Sequence, residues 1–249
     1  MDSKTAIILD ILFEDEFLIA VNKPNKLLIH HSHYSRNIRE ISLAQLVRKH
    51  CGHKIHPIHR LDRKTSGIVL FAKSPEIATL LQNQFKNQTV EKKYAALIRG
   101  FVTESMSIDS PVKNKENNTY QTAETLLNPI ATSEINRAVL PYSTARYSLV
   151  ELIPKTGRTH QLRIHMNKIA HPIIGDPQYG NRHHNHAFIE WFGHDRLFLH
   201  AKSLRFEHPK RKERILIQAN FPEFWQQNLS ELNFTVSLDS NQILKDSQA

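Results

Sequence analysis

Apolar residues recur along the chain in short blocks separated by polar turns, and the spacing inside each block sorts them into strands and helices. Residues 7–13 (IILDILF) and 17–22 (FLIAVN) read as strands around the acidic turn Glu14–Glu16, followed by a turn at Lys23-Pro24-Asn25. Over 42–50, Leu43, Leu46 and Val47 share one helical face behind Ser42 as N-cap. Residues 55–66 carry little regular pattern, and Gly67–Phe71 (GIVLF) reads as a buried strand. Ser74-Pro75-Glu76 opens a helix in which Ile77, Leu80, Leu81 and Phe85 repeat at helical spacing.

Residues 90–98 alternate, so Val90, Lys92, Tyr94, Ala96 and Ile98 lie on one side of a strand that Gly100 ends. The polar stretch 103–118 reads as a long loop, and 119–127 and 145–153 as two strands with an irregular connection. The turn Thr156-Gly157 leads into a helix over about 159–169, with Leu162, His165, Met166 and Ile169 as its stripe. Residues 171–180 (HPIIGDPQYG) are rich in turn formers. Residues 197–206 and 214–219 read as strands joined at Pro209–Arg211, 222–229 as a last helix, and 230–249 as a partly ordered tail. Antiparallel-compatible strands with a few helices between them indicate an α+β fold. Residues 1–229 are expected to form a single domain.

Charge sharpens this picture. The 249 residues carry 33 Lys and Arg against 24 Asp and Glu, a net charge of +9, which favours a polyanionic partner. The excess concentrates in three blocks: 48–64, 155–168 and 196–214. The fold could bring them to one groove, or leave three separately solvated faces. Cys51 is the only cysteine, which excludes an internal disulfide or a multi-cysteine metal centre. The N-terminus has no leader pattern, and no apolar run is long enough to span a membrane. A cytoplasmic protein is expected. Neither TSG at 65–67 nor TG at 156–157 belongs to a nucleotide-binding loop, so no cofactor is expected. The histidine clusters at His30, His31, His33 and at His183, His184, His186 lack an HExxH pattern, and no metal is expected.

Candidate chemistry centres on His59-Arg60-Leu61-Asp62-Arg63-Lys64-Thr65-Ser66-Gly67, where one carboxylate sits among cations. An ionised Asp62 there can be a nucleophile, an ion-pair anchor or a loop organiser. Thr159, His160, Gln161 and Arg163 lie near a helix start that suits phosphate, and Arg163 should point away from the Leu162–Met166 stripe. Tyr94 could equally be core. Gly67, Gly157 and Gly175 suit tight turns, and Lys23 and Pro24 the edge of a pocket.

HRLDRKTSGIVLFAK (59–73) resembles the signature of the RluA-type pseudouridine synthases. VNKP (21–24), EKKYAALIRG (91–100), and KTGRTHQLRIHM with HPIIGDPQYG (155–180) support it in the expected order. The resemblance spans about residues 10–220. It implies the catalytic fold of that family, α+β with a mixed, largely antiparallel central sheet and flanking helices. It also implies isomerisation of a uridine in RNA to pseudouridine, without cofactor or metal. Asp62 then corresponds to the catalytic aspartate, Tyr94 to the tyrosine packed on the target base, and Arg158 to the basic partner of the aspartate. Arg60 corresponds to the arginine that fills the space left by the flipped base. Leu199 is the choice for the apolar pocket wall, with Leu197 as the alternative.

FGHDRLFLHAKSLRFEHP (192–209) and the chain length resemble a bacterial tRNA-modifying branch acting on uridine 65 of tRNA. With the VNKP strand beginning by residue 21, the S4-like module that many relatives carry is not expected before it. Target selection is therefore expected from the catalytic domain, with Arg63, Lys64, Arg163, Lys202, Arg205, Lys210, Arg211 and Lys212 as RNA contacts. The partner expected is tRNA, with no membrane, no obligate protein partner and a monomeric enzyme. Three rivals remain: a ribosomal RNA synthase, a noncatalytic RNA-binding protein on the same scaffold, and a glycoside-type hydrolase. The last usually needs paired carboxylates, of which the Asp62 neighbourhood offers one by sequence, though folding could bring a distant acid near.

Overall fold

The computed structural model describes residues 8–30, 40–114 and 117–235. Strands β1 (Ile11–Glu14), β2 (Leu18–Lys23), β3 (His56–Pro57), β4 (Ser66–Ala72), β5 (Glu91–Arg99) and β6 (Met106–Asp109) come first. They are followed by β7 (Val112–Lys113), β8 (Tyr120–Gln121), β9 (Glu124–Ile135), β10 (Ala145–Pro154), β11 (Leu199–Glu207) and β12 (Arg214–Gln218). The helices are α1 (Leu43–Cys51), α2 (Pro75–Lys86), α3 (Gln161–Lys168), α4 (Arg182–Phe192) and α5 (Glu223–Glu231). Ten strands form one sheet in the order β1-β2-β4-β11-β5-β10-β9-β6, with β12 beside β11 and β3 beside β4; β7 and β8 pair separately. Within that sheet only β4 and β11 run parallel. This is the mixed, largely antiparallel α+β sheet that the sequence implies.

The helix boundaries follow from capping. Ser42 accepts from the Gln45 N–H and the Gln45 side chain returns to the Ser42 N–H, closing a capping box, while Gly52 ends α1 in the left-handed region. Ser74 caps α2 with Pro75 in its first turn. Alternation along β2 and β4 sends Ile19, Val21, Val69 and Phe71 to α1, and Leu18, Ala20, Ile68 and Leu70 to α2. Along β5 and β10, Ala96, Ile98, Val150 and Leu152 meet α3, and Ala95, Leu97, Tyr147 and Leu149 meet α4 and α5. Helices therefore cover both faces of the sheet.

The structure departs from the sequence pattern in four places. The stretch 103–118 holds β6 and β7 rather than a continuous loop. The connection after 127 continues as strand β9 to Ile135, with Pro129 accommodated where the β9–β10 register shifts between Leu149 and Val150. Residues 182–192 form α4, capped by Asn181 and ended by Gly193. Its histidine-rich start masks the apolar stripe that Ala187 and Phe188 send into the core. Gly67 lies within β4 rather than in a turn. A Cβ there would collide with the Ala201 carbonyl of β11, so the parallel pairing depends on its absence. The expected last helix is α5, and of the expected tail 230–249 residues 230–235 are described, the rest lying outside the described residues.

Buried histidines, His184 and His200 among them, make folding acid-sensitive. His184 Nδ1 lies 3.0 Å from the Tyr147 hydroxyl and His200 Nδ1 lies 2.9 Å from Ser66 Oγ. Burial lowers their pKa values to about 4 and about 3. The unfolded chain binds their protons below about pH 6.5 while the folded chain refuses them until near pH 4. Stability should therefore fall with decreasing pH across that window, by up to about 1.4 kcal/mol per pH unit for each histidine. Urea denaturation between pH 7 and 4 measures it, and a flat profile would contradict the burial.

Candidate active site

The loop joining β3 to β4 carries Asp62 and is tied down by its neighbours. Lys23, wholly buried at the end of β2, donates from Nζ to the carbonyls of Pro24 (3.0 Å), Leu27 (2.9 Å) and Arg63 (3.0 Å). These three acceptors match the three donors of an ammonium group. Burial draws the Lys23 pKa down to about 7, and the attraction of Asp62 opposes the fall. Asn25 donates its side-chain N–H to the Lys64 carbonyl. Arg63 donates to the Lys26 carbonyl at 2.9 Å and pairs with Glu40 at 2.9 Å, and Lys64 pairs with Asp195 at 2.7 Å. Arg63 and Lys64, expected to contact RNA, thus direct their charge to bracing the Asp62 loop.

Asp62 faces a single guanidinium. Arg163 Nη1 donates to Asp62 Oδ2 at 2.8 Å, while its Nε and Nη2 fork onto Asp176 at 2.7 and 2.8 Å. Asp176 also accepts from the backbone N–H groups of Gln178 (2.9 Å) and Tyr179 (3.0 Å). Burial opposes its ionisation, and the Arg163 fork with the two backbone donors outweighs burial, holding its pKa low. His160, in a left-handed conformation (φ 58°), lies with Nε2 3.6 Å from Asp62 Oδ1 and Nδ1 3.2 Å from the Tyr179 hydroxyl. The Tyr179 ring in turn lies 5.2 Å from the Arg163 guanidinium.

This corrects two expectations. Arg158 is not the partner of Asp62: its Nε donates to the Thr122 carbonyl at 3.0 Å, and its side chain lines the cleft from the turn before α3. Arg163 is that partner, and at 7% exposure it is no RNA-backbone contact. The reason is that α3 is buried almost all round, at Gln161, Leu162, Arg163, His165 and Met166, so its apolar stripe does not define an outer face. Gln161 anchors the preceding turn. It accepts from Thr156 Oγ1 (2.7 Å) and the Arg158 N–H (3.0 Å), and donates to the Glu124 carbonyl (2.9 Å). His160, expected beside phosphate at the helix start, faces Asp62 instead, and Asp176 and Tyr179 join the site unforeseen. The motif HPIIGDPQYG marked that segment, but only as a turn.

Around Asp62 lies a cleft of about 320 Å³. Tyr94, paired across the sheet with Ala201 and Leu152, forms its floor, and Leu199 and Leu162 line it. Leu197, the alternative to Leu199, is wholly buried in the α3 core instead. Burial, reinforced by the Asp62 charge, pushes the Tyr94 phenol well above its ordinary pKa. Arg60 stands exposed at the rim. On another wall His59 stacks on Phe85 at 5.0 Å and accepts the Leu70 N–H at 3.2 Å, and burial holds its pKa near 4, in the neutral form.

The third basic block does not supply a free cationic strip. Lys202 is the extra residue where the β5–β11 register shifts, and it turns inward, donating to the Ala219 carbonyl at 2.7 Å. At 2% exposure it cannot contact RNA. Arg205 lies 3.5 Å from Glu91, Lys210 2.7 Å from Glu76, Arg211 2.7 Å from Asp15, and Lys212 3.5 Å from Glu207. These bases are accessible but locally balanced by acids. Of the histidine clusters, His31 and His33 lie outside the described residues, and His184 is turned inward onto Tyr147. Among the described residues no group of three His, Cys, Asp or Glu is arranged to hold a metal ion.

The sequence profile of the RNA pseudouridylate synthases matches residues 17–168, a span that holds Asp62, Tyr94 and Arg163. The chain belongs to the RNA pseudouridylate synthase family. Among curated members, it is 41% identical over 240 residues to the tRNA pseudouridine synthase C of Vibrio cholerae, covering 92% of this chain and 98% of that one. It is 43% identical over 236 residues to the tRNA pseudouridine synthase C of Haemophilus influenzae, covering 91% and 98%. The solved structure of human RNA pseudouridylate synthase domain containing 1 superposes with a TM-score of 0.69 at 25% identity, over 89% of this chain and 87% of that one. The α+β sheet of this pseudouridylate synthase is thus shared with a solved member of the family.

The Asp62–Arg163–Asp176 arrangement predicts unequal stability costs in this synthase. Asp176→Ala removes both forked bonds from a buried guanidinium and should destabilise the fold by about 3–5 kcal/mol. Asp62→Ala leaves the fork intact and should cost clearly less. Denaturant unfolding of the two variants measures the difference; equal losses would show that Asp62 carries as much of the burial as Asp176.

Proposed function

We propose that this synthase converts a specific uridine of tRNA to pseudouridine, with Asp62 as the catalytic group. The observation that carries the reading is the Asp62 carboxylate held by Arg163 at 2.8 Å in a cleft lined by an aromatic ring and apolar side chains. The reaction breaks the N1–C1′ bond, turns the uracil and joins C5 to C1′; C5 loses a proton and N1 ends protonated. It is an isomerisation with no oxidant and no acyl transfer. Uridine stacked in a helix hides both C1′ and C5, so the nucleotide must be flipped, at a cost of a few kcal/mol.

In this reading Asp62 approaches the sugar as an anion that bonds to C1′ or stabilises charge there. Arg163 keeps it ionised and aimed, and Asp176 with Tyr179 hold Arg163 in place. Tyr94 offers a neutral phenol ring for the flipped base to pack on, since its raised pKa disfavours a phenolate. Leu199 supplies the apolar wall, and Arg60 at the rim fills the gap in the RNA stack. Asp176 is the only other carboxylate on Arg163. Its 1% exposure and forked pairing make it unsuited to the second acid of a hydrolase.

The choice of tRNA over ribosomal RNA is supported by the two relatives named for tRNA, each matched over nearly its whole length. Uridine 65 as target rests on the resemblance of residues 192–209 to that branch. We also take the enzyme to act in the cytoplasm as a monomer, over a single catalytic domain spanning 1–229.

Tritium release from C5-labelled uridine tests this. Unmodified tRNA transcript should yield about one equivalent per molecule. Asp62→Asn should abolish release with RNA affinity kept within roughly tenfold, its thermal melt confirming the fold. Replacing uridine 65 by cytidine should abolish release as well. Release from ribosomal RNA alone would overturn the tRNA assignment. A second test follows from the charge distribution. Arg60→Gln and Arg158→Gln should each lower the salt slope of RNA binding by about one unit. Lys202→Met should leave the slope unchanged, because its ammonium already faces the Ala219 carbonyl.

A further inference from the structure

Lys92 is a cation in the cleft that the chemistry above does not use. It precedes Tyr94 by two residues on β5, so both side chains leave the strand on the same side, and both line the cleft. Its neighbour Lys93 points the other way and is paired with Glu151 at 3.3 Å. The Lys92 side chain has no ion pair or hydrogen bond among the described residues. Asp62 is the one carboxylate lining the cleft, and Arg163 already engages it. The wall beside Lys92 is the stacked pair His59 and Phe85, in which His59 is neutral. Burial depresses the Lys92 pKa with nothing to offset it.

An ammonium group half-removed from water without a counter-charge costs folding energy. Among the described residues the fully buried cations each have acceptors: Lys23 has three carbonyls, Lys202 one, and Arg163 two carboxylates. The half-buried Lys92 has none, and it lines the cleft. One strand repeat, about 6.6 Å, separates it from Tyr94. A nucleotide whose base lies on the Tyr94 ring carries its sugar–phosphate outward, and the phosphate is the strongest anion it brings.

We propose that Lys92 binds a backbone phosphate of the RNA flanking the nucleotide held in the cleft. The proposal rests on the RNA-modifying reading above. The contact supplies the counter-charge that the folded protein lacks, and fixes the depth to which the flipped nucleotide is drawn in. His59 and Phe85 keep that wall dry and uncharged, which strengthens the pairing.

The test compares Lys92→Met and Lys92→Arg with the unchanged enzyme, by equilibrium binding of unmodified tRNA transcript across a salt series and by tritium release. Lys92→Met keeps the length of the side chain and removes the charge. It should weaken binding and raise KM about tenfold, and lower the salt slope by about one unit, with kcat within about twofold. Lys92→Arg should restore the slope. A thermal melt no lower than the parent's confirms folding, as expected when an unpaired charge is removed. Lys92→Gln is measured in the same way, so that the result does not rest on one replacement. An unchanged slope and KM would overturn the proposal and leave Lys92 as a packing group. A fall in kcat at constant affinity and slope would also overturn it, placing the ammonium on the detached uracil. If the unchanged enzyme released no tritium, the functional reading would fall, while the binding series would still decide whether Lys92 contacts phosphate.

Discussion

Arg163 holds the molecule's chemistry in place. A buried guanidinium must be matched by carboxylates, and this one takes two at once: a fully covered pair of bonds from Asp176 and a single bond from the more open Asp62. The fork fixes the plane of the guanidinium and with it the directions of the remaining N–H groups, one of which, on Nη1, meets Asp62. Asp62 is therefore positioned by a group that is itself positioned on α3 and on the turn 176–179. The same turn reaches Asp62 by a second route, from the Tyr179 hydroxyl through His160.

The sheet explains why these pieces meet. Asp62 belongs to the loop entering β4, Tyr94 to β5, and Leu199 to the start of β11, and β11 lies between β4 and β5. The parallel contact between β4 and β11 is short, limited to Ser66 with His200 and Gly67 with Ala201. It nevertheless brings the Asp62 loop alongside Tyr94, and it needs a glycine at 67 because Ala201 backbone occupies the space of a Cβ. Lys23, buried beneath the loop, joins β2 to the same place.

Charge has two different uses in this chain. Near Asp62 most basic side chains brace the loop: Arg63 to Glu40, Lys64 to Asp195, Lys23 to carbonyls. Along β11 and the turn after it, bases and acids interleave, and Lys202 is buried. Exposed pairs of that kind contribute little to stability and are readily screened. Around the cleft, Arg60, Arg158 and Lys92 are the cations not engaged by a carboxylate among the described residues.

The sequence by itself determined the elements whose signals are local. Ser42 and Ser74 as caps, alternation in β2, β4 and β5, and the turn at 209–211 depend on spacing and backbone preference within a few residues. The roles expected of Asp62, Tyr94 and Leu199 came from the family resemblance of their motifs and not from spacing, which left Tyr94 equally able to be core. Tertiary structure decided what depends on long-range pairing. Arg158 and Arg163 are both basic residues of one motif, and only the packing of α3 under the 171–180 segment selects which one faces Asp62. A helix buried on nearly every side gives no periodicity to read, and a register shift that turns Lys202 inward leaves no trace in composition. The strand beyond Pro129 likewise exists because β10 pairs with it. Where a side chain's environment is built by residues a hundred positions away, as Asp62 and Arg163 build each other's, the fold alone assigns the partner.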